Sequence, residues 1–399
     1  MTRIAILGAG PIGLEAALAA ASRGDDFTVF EAAPHVGGNV RRWGHVRTFT
    51  PWSMNVSPRM RAALPVAPDG PSLPTGAQLA ADLLEPIAAL PRLRDRIRCG
   101  TRVLAVGREG LLKHEAIGDG RRAARPFRLL VRAPDGSEAI VHADVVIDAT
   151  GTYANPNRLG DGGIDAVNER AFEDRIERFL PAFDGDGDAE RGRGRASNWA
   201  GRTILLTGAG HSAQTAAAQL AELARSAPGT QVIWAVRDPA PDWGAVAADP
   251  LPERAALAAC AARLQAGASA AVSVKPGSVT EALHARGARI AVTLRNGGAE
   301  EIEVDRILAL NGGVGDHALY RQLQVHECYA TTGPMNLAAA LLGDTNGGDC
   351  LTVAAHGPET LRTPEPGFFI LGAKSYGRNN SFLMRTGWEQ VGEVFGLLE

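Results

Sequence analysis

The first thirty residues alternate short apolar runs with a glycine turn and an alanine-rich segment. Residues 4–7 are apolar, and residues 8–13 have the sequence GAGPIG. An alanine-rich stretch over residues 14–22 ends before Gly24, and a second apolar run covers residues 27–30. Short apolar runs predict buried strands, while the alanine-rich stretch between two breakers predicts a helix. The predicted order is therefore strand, glycine turn, helix and strand.

The glycine turn has the spacing that allows a backbone to hold a pyrophosphate. Gly8 permits a tight turn, Gly10 lets backbone N–H groups approach phosphates, and Gly13 lets the helix pack closely on the strand. Pro11 and Ile12 begin the helix, whose amino terminus adds partial positive charge. These six residues predict a dinucleotide-binding turn.

The same pattern recurs near the middle of the chain. Residues 203–207 have the sequence TILLT and residues 208–213 have the sequence GAGHSA. A helical stretch over residues 214–225 then precedes the strand-like sequence QVIWAV at residues 231–236. Alanine at the last position still permits close packing of helix on strand. The residues expected to contact this second nucleotide are Gly208, Gly210, His211, Ser212 and Ala213.

The residue that follows the second strand differs between the two units. Glu31 lies 18 residues after Gly13, where a carboxylate can accept hydrogen bonds from ribose hydroxyls. Arg237 occupies the corresponding place in the second unit. A guanidinium there suits a 2′-phosphate and favours NADPH, whereas the adjacent Asp238 could instead serve the ribose of NADH.

A second repeat follows each unit. In both, a strand-like run and a glycine turn lead to an apolar segment that begins with Asp and reaches a Gly seven residues later. These segments are residues 144–151 and 305–312. The repeat predicts an α/β fold with two Rossmann-like dinucleotide-binding domains.

Composition and charge exclude several kinds of partner. The 399 residues include 41 Lys and Arg and 44 Asp and Glu, for a formal charge of −3. This balance gives no electrostatic reason to expect a nucleic acid or a membrane surface as partner. No apolar run approaches the ~18 residues of a membrane span, and no signal-peptide pattern precedes the first strand. We therefore expect a cytoplasmic protein.

Neither the cysteines nor the acidic clusters predict a metal site. Asp184, Asp186 and Asp188 have calcium-loop spacing, but Ala189 and Arg195 stand where such a loop requires Gly and Glu. The four cysteines form no CxxC pair and have no zinc-like spacing. They are Cys99, Cys260, Cys328 and Cys350. We expect isolated thiols and neither a metal site nor a dithiol redox centre.

Together these segments resemble the flavoproteins with two dinucleotide-binding domains. That superfamily includes flavin-containing, Baeyer–Villiger and N-hydroxylating monooxygenases and thioredoxin-reductase-like enzymes. The resemblance spans nearly the whole chain and is closest in the glycine segments. It implies an FAD-binding domain over residues 1–155 and 306–399. It also implies an NADPH-binding domain, inserted between these parts, over residues 156–305.

Within the superfamily the sequence resembles the monooxygenases. Residues 37–39 have the sequence GGN with Trp43 behind them, and residues 148–156 are similar to an ATG…Pro element of those enzymes. The CxxC of thioredoxin-reductase-like members is missing, and residues 183–188 replace the FxGxxxHxxxF/Y signature of monooxygenases. The FAD contacts implied by the resemblance include Gly38, Asn39, Thr150 and Gly151.

The resemblance implies a reaction as well as a fold. We expect an NADPH-driven, FAD-dependent monooxygenase that oxygenates a small-molecule nucleophile through a flavin hydroperoxide. One alternative is a flavin oxidoreductase without a protein dithiol, which would reduce a quinone, a ferredoxin or a small-molecule disulfide. Another is a redox sensor that binds both nucleotides without catalysis. Homodimers are common in the superfamily.

Two further segments contain candidate site residues. Gly372 ends an apolar run, and Ser381 closes a polar loop before the last helix, which in the superfamily approaches the flavin. Asn55 is the catalytic candidate, since it could hydrogen-bond a flavin hydroperoxide, although an asparagine here can also cap a turn. By contrast, we expect the arginines at positions 121, 122 and 125 to lie in a solvated loop.

Overall fold

The structure is a computed structural model that describes residues 2–183, 198–343, 351 and 356–398. The chain forms two compact units. The first contains residues Met1–Asn155 and Gly313–Glu399, and the second contains residues Pro156–Gly312. The calcium-like segment at residues 184–188 lies outside the described residues.

The first unit is organised around a five-stranded parallel sheet with the order β18-β7-β1-β2-β3. Its strands are near-continuous apolar runs, as expected for a parallel sheet that is covered on both faces. They are β1 (Arg3–Leu7), β2 (Asp26–Phe30), β3 (Ile97–Arg98), β7 (Val145–Asp148) and β18 (Phe368–Ile370).

Alternate residues of β1 support the two layers beside this sheet. Ile4 and Ile6 belong to a core shared with the helices, whereas Ala5 and Leu7 belong to a second core. The second core includes residues of a three-stranded antiparallel sheet, β4 (Arg102–Arg108), β5 (Phe127–Arg132) and β6 (Glu138–Ala143). Successive side chains of β1 therefore pack on opposite faces of the sheet and contribute to both cores.

Helices cover the other face. Two of them, α1 (Pro11–Arg23) and α10 (Met384–Leu397), contribute Leu14, Leu18, Val391 and Val394 to the first core. The shorter α-helices of this unit are α2 (Gly38–Arg42), α3 (Trp52–Asn55), α4 (Pro58–Ala63), α5 (Gly76–Gln78), α6 (Glu85–Ala88) and α9 (Met335–Gly343). A π-helix covers Leu79–Leu84, and 3₁₀ turns cover Arg94–Arg96, Ala318–Tyr320, Pro358–Leu361 and Gly372–Tyr376.

The second unit repeats this arrangement. Its parallel sheet has the order β12-β11-β10-β16-β9, in which β10 and β11 take the places of β1 and β2. Its strands are β9 (Ile176–Glu177), β10 (Thr203–Thr207), β11 (Gln231–Val236), β12 (Val272–Pro276) and β16 (Arg306–Ala309). The antiparallel sheet contains β13 (Val279–Arg286), β14 (Arg289–Asn296) and β15 (Gly298–Val304).

The remaining elements of the chain are short or lie beside the second sheet. The helices α7 (His211–Ser226) and α8 (Pro252–Gln265) belong to the second unit, which also contains 3₁₀ turns at Asp161–Gly163 and Glu169–Arg175. The two-residue strands β8 (Asn155–Pro156) and β17 (Gly313–Val314) lie where the chain passes between units. No helix among the described residues is long and apolar enough to cross a membrane.

The repeated Asp-to-Gly spacing has a structural cause. A side-chain oxygen of Asp144 accepts a hydrogen bond from the Arg3 amide at 3.0 Å, and Asp305 does the same for the Thr203 amide at 2.7 Å. Each Asp thus binds the first residue of the central strand of its sheet. In both units the segment that begins with Asp joins the parallel sheet, and the strand before the glycine turn belongs to a separate three-stranded antiparallel sheet.

The second domain boundary differs from the prediction. The sequence placed it between residues 305 and 306, but the units divide between Gly312 and Gly313. The reason is the strand Arg306–Ala309, which pairs with Thr203–Thr207 and so belongs to the second sheet.

A buried ion cluster anchors the predicted solvated loop, and that prediction is wrong for Arg122. The side chains of Arg108, Arg122 and Glu365 are at most 1 % exposed, and both arginines contact the carboxylate at 2.7 Å. Arg122 also donates to the carbonyls of Leu112 and Glu115. The loop therefore folds around a guanidinium that satisfies its backbone.

Replacing Glu365 by Gln tests this cluster. The variant leaves two buried guanidinium groups without a counter-ion, so we expect a loss of about 3–5 kcal/mol in the free energy of unfolding. Urea unfolding measures the loss. In the control Glu138→Gln, which breaks the exposed pair with Arg132, the change should stay within about 0.5 kcal/mol.

The same carboxyl group makes the effect dependent on pH. Burial acts to raise the pKa of Glu365, but Arg122, the Gln324 amide and Arg108 together hold that pKa below its ordinary value. A depressed pKa stabilises the fold above the unfolded value, about 4.3, and this stabilisation is lost as the pH falls through the folded pKa. The difference in the free energy of unfolding between wild type and Glu365→Gln, measured by urea unfolding, should therefore become smaller as the pH falls through the folded pKa.

Candidate nucleotide-binding sites

The first glycine turn is shaped by two close approaches. Gly8 has φ +98°, and a Cβ atom there would lie 2.8 Å from the carbonyl oxygen of Ala149. A Cβ at Gly13 would lie 1.9 Å from the carbonyl oxygen of Gly8. At Gly10, by contrast, no atom lies within 4 Å of that position. The turn is therefore packed on its inner side and open at its middle glycine.

The second glycine turn has the same geometry. Gly208 has φ +106°, and its Cβ would lie 2.3 Å from the carbonyl oxygen of Leu310, while Gly210 is open. Ala213 is fully buried, which shows that a methyl group fits at the third position. The indole of Trp234 fastens this turn, since its Nε1 donates to the Gly208 carbonyl at 2.8 Å.

Both turns lead into helices whose first amides are available to a ligand. Pro11 occupies the first turn of α1, with Gly10 as the N-cap, and no side chain caps that end. Gly210 is the uncapped N-cap of α7, and His211 and Ser212 lie exposed on its first turn. Free amides and the helix dipole together make such an end a binding site for anions.

Glu31 is placed against the first turn. Its Oε2 accepts a hydrogen bond from the Ala9 amide at 2.7 Å, and its Oε1 accepts one from the Ala33 amide at 2.8 Å. Burial raises the pKa of this carboxyl above its ordinary value, while the two amides oppose the shift. Each carboxylate oxygen retains a further lone pair for a ribose hydroxyl.

Gly38 and Asn39 lie beside Glu31 and Thr150. A Cβ at Gly38 would lie 2.4 Å from the Cβ of Ala33 and 3.2 Å from a carboxylate oxygen of Glu31. Asn39 donates from Nδ2 to the carbonyl of Thr150 at 3.4 Å. The structure thus brings the residues after the second strand to the carboxyl ends of β1 and β7.

Arg237 is exposed at the end of β11. Within the described part of the chain, no hydrogen bond or ion pair engages its guanidinium. The neighbouring Asp238 is used locally, because its Oδ1 accepts the Ala240 amide at 2.9 Å. Of the two residues, the arginine is the one that presents an unengaged charge to a nucleotide.

His211 lies near a buried ion pair of its own unit. Arg254 and Asp249 form two hydrogen bonds of 2.7 Å, and both side chains are buried. Although His211 as a residue is exposed, partial desolvation of its ring and the Arg254 cation lower its pKa, against an opposing effect of Asp249. A neutral imidazole at this helix end is a hydrogen-bonding group.

Thr150 and Gly151 form a turn at the end of β7 that is tied to a buried lysine. Lys374 and Asp148 have fully buried side chains, and the Nζ to Oδ2 distance is 2.6 Å. Thr150 donates from its hydroxyl to Asp148 Oδ1 at 2.7 Å. Gly151 has φ +72° and open space on its outer side. The sequence placed Lys374 in a polar loop, and no pattern marked it as buried.

The C-terminal segment places two helix ends next to each other. A Cβ at Gly372 would lie 3.3 Å from Ile12, and a Cβ at Gly387, in the first turn of α10, would lie 2.4 Å from the same side chain. The Gly372 amide donates to Gln390 at 2.9 Å, and Ser381 donates to Asn379 at 2.6 Å. These two candidates therefore bind within the protein.

One buried hydroxyl at this place is without a partner. Thr386 lies in the first turn of α10, is 2 % exposed, and its Oγ1 has no hydrogen-bond partner among the described residues. Buried polar groups are normally hydrogen-bonded, because an unmade bond costs about 1–3 kcal/mol. The sequence offered no signal for this residue, and it marks a position that a polar ligand would satisfy.

Asn55 does not lead to a catalytic assignment. Its Nδ2 donates to the carbonyl of Thr50 at 2.7 Å, and its Oδ1 accepts from the Thr50 hydroxyl at 2.9 Å. The side chain is buried within its own loop. The turn-capping interpretation therefore accounts for both polar atoms of this side chain.

Comparisons with known proteins agree with this geometry. A family model described as an NAD(P)-binding Rossmann-like domain matches residues 6–64. No curated protein matches the sequence. Bacillithiol disulfide reductase from Bacillus cereus has a similar structure, with 18 % identity and a TM-score of 0.68, over 100 % of this chain and 98 % of that chain.

Two monooxygenases are also similar in structure. Ornithine N-hydroxylase from Kutzneria sp. 744, solved with reduced FAD, NADP⁺ and L-ornithine, is 13 % identical with a TM-score of 0.64, over 100 % of this chain and 99 % of that chain. A flavin-containing monooxygenase from Stenotrophomonas maltophilia is 18 % identical with a TM-score of 0.57, over 100 % of both chains. The predicted α/β fold with two Rossmann-like domains is confirmed.

Alanine substitutions at Gly8 and Gly10 should have different effects on stability, because Gly8 is closely packed and Gly10 is open. Gly8→Ala forces a Cβ against the Ala149 carbonyl and into a left-handed conformation, which alone costs about 1–2 kcal/mol. Gly10→Ala meets no atom and keeps an extended backbone, so we expect a change within about 0.5 kcal/mol. Thermal unfolding of the ligand-free proteins checks this, and equal losses would contradict the described turn.

Proposed function

We propose that this chain is an FAD-dependent, NADPH-driven monooxygenase that oxygenates a small-molecule nucleophile. The observation that carries the proposal is the duplicated nucleotide-binding unit. One copy has a carboxylate after its second strand, and the other has an exposed, unengaged arginine there. Two different dinucleotides on one chain are what a hydride donor and a hydride acceptor require.

The first unit fits FAD. Gly8, Gly10 and Gly13 leave an open backbone turn before an uncapped helix, which suits a pyrophosphate. The Thr386 hydroxyl offers an unused polar group where α10 meets Ile12. We assign FAD contacts to Gly8, Gly10, Pro11, Ile12, Gly13, Glu31, Gly38, Asn39, Thr150, Gly151, Gly372 and Ser381, the last two by packing, since their polar groups bind within the protein.

The second unit fits NADPH. Gly208, Gly210 and the first turn of α7 offer the same open turn and helix end, with Ala213 packed behind them. His211 and Ser212 lie on that turn, and Arg237 can bind the 2′-phosphate with several parallel donors. Bound FAD would accept hydride and activate dioxygen, which is chemistry that no side chain supplies.

The residues of the chain then have three tasks: binding, orientation and exclusion of water. Glu31 fixes the first turn through the Ala9 and Ala33 amides, and Trp234 fixes the second through Gly208. The two adjacent helix ends at Ile12 and Gly387 supply positive potential where negative charge would develop. Substrate specificity lies in segments that carry no recognisable motif.

A second function is favoured by one comparison. Bacillithiol disulfide reductase is similar over the whole chain, so a flavin oxidoreductase that reduces a quinone, a ferredoxin or a small-molecule disulfide is the alternative. The sequence has no CxxC pair, so such an enzyme would pass electrons without a protein dithiol. The monooxygenase is preferred because of the GGN…Trp and ATG…Pro segments.

Replacing Arg237 by Ala tests the NADPH assignment. The variant removes the unengaged guanidinium at the end of β11, so we expect Kd for NADPH to rise at least tenfold while Kd for NADH changes little. Fluorescence titration measures both. Arg202→Ala is the matched control. Arg202 directly precedes β10 and so lies at the amino ends of the parallel strands, whereas Arg237 lies at their carboxyl ends. Equal effects of Arg237→Ala on both nucleotides would refute the assignment.

Turnover with isotope-labelled dioxygen tests the reaction. The FAD-loaded chain is mixed with NADPH and a panel of small amines and sulfides, and we expect one labelled oxygen atom per NADPH in the product. Anaerobic reduction of a quinone or a disulfide, without labelled product in air, would establish the alternative instead. If NADPH fails to bleach the flavin at all, both proposals are wrong.

A further inference from the structure

We propose that Lys374 is a positioning residue that fixes the Thr150–Gly151 turn against the Gly372–Tyr376 segment, so that retention of FAD depends on it. The inference rests on the proposed function, because it concerns how the first unit holds its cofactor. It adds a residue that no sequence pattern marks. Its basis is one buried cation that belongs to the Gly372–Tyr376 segment and binds Asp148 and Thr150 at the turn.

The ammonium group of Lys374 has a complete set of acceptors. It donates to Asp148 Oδ2 at 2.6 Å, to the Asp316 carbonyl at 2.7 Å and to the Thr150 hydroxyl at 3.3 Å. The side chain is fully buried. Its ammonium also lies 5.0 Å from the ring centre of Tyr320, a distance suited to a cation–π contact.

The carboxylate of Asp148 connects Lys374 to the turn. Its Oδ1 accepts both the amide of Thr150 at 3.1 Å and the hydroxyl of Thr150 at 2.7 Å. Its backbone carbonyl accepts the Leu371 amide at 2.9 Å. The turn is therefore bound at amide and hydroxyl by one carboxylate, and that carboxylate is fixed by Lys374.

The side-chain stem of Lys374 packs closely against Gly315. A Cβ at Gly315 would lie 2.4 Å from Cγ of Lys374 and within 2.8 Å of its next two carbons. Only a residue without a side chain leaves space here for the aliphatic part of Lys374. On its other side the turn is open at Gly151, and the Thr150 carbonyl accepts from Asn39. Lys374 sits behind the turn, and a ligand would sit in front of it.

A buried cation with a buried carboxylate is weak proof of a stability role, because an apolar pair of the same volume is often as stable. Both charges need their partner, however, and the bonds of the pair join the two segments. The pair at Arg122 and Glu365 offers a comparison, since it is equally buried in the same unit but holds a loop that has no cofactor assignment.

The test compares Lys374→Met with Arg122→Met in the full chain. For each protein the apoprotein is titrated with FAD, NADPH affinity is measured separately, and Tm is recorded. We expect Lys374→Met to raise Kd for FAD at least tenfold while Kd for NADPH stays unchanged. Arg122→Met should lower Tm without changing Kd for FAD.

The double variant Asp148→Asn with Lys374→Met guards against misfolding, since it leaves no stranded charge. We expect it to fold and still bind FAD weakly, because the turn is untied from the Gly372–Tyr376 segment. FAD affinity equal to wild type in the double variant would overturn the inference. So would equal losses of FAD affinity in Lys374→Met and Arg122→Met. If the wild-type apoprotein itself binds no FAD, the proposed function fails instead.

Discussion

The contact between a glycine turn and the carbonyl at the end of the neighbouring strand is the constraint on which both units depend. At Gly8 the carbonyl belongs to Ala149, and at Gly208 it belongs to Leu310. No side chain fits in either place, and the backbone must be left-handed there. This contact sets where the helix begins, and with it the direction in which the free amides point.

Different side chains bind the glycine turn in the two units. In the first, Glu31 binds the turn, and an ion pair between Lys374 and Asp148 supports the adjoining strand end. In the second, Trp234 binds the turn through its indole, and Arg237 stays free. Under the proposed function, the backbone defines the place for a dinucleotide, and these side chains decide which dinucleotide fits it.

The fold and the glycine turns could be predicted because their causes are local. Apolar runs, glycine spacing and the seven-residue Asp-to-Gly repeat all act within a few residues or through one strand pairing. Lys374 and Arg122 could not be found in this way, because the carboxylates that bind them, Asp148 and Glu365, lie far along the chain. Thr386 could not be found either, because its burial depends on how α10 packs in the folded unit. The boundary after residue 305 was misplaced for the same reason, since the pairing of Arg306–Ala309 with Thr203–Thr207 depends on residues a hundred positions apart.

The insertion of one unit inside the other has a consequence for synthesis. The second unit is one continuous stretch, Pro156–Gly312, so its sheet can close as soon as that stretch has left the ribosome. The first unit cannot, because its edge strand Phe368–Ile370 and the helix that covers α1 come last. Until residues 384–397 have been synthesised, the apolar face of α1 is therefore uncovered. The second unit can thus fold while the first still lacks the strand and the helix that complete it.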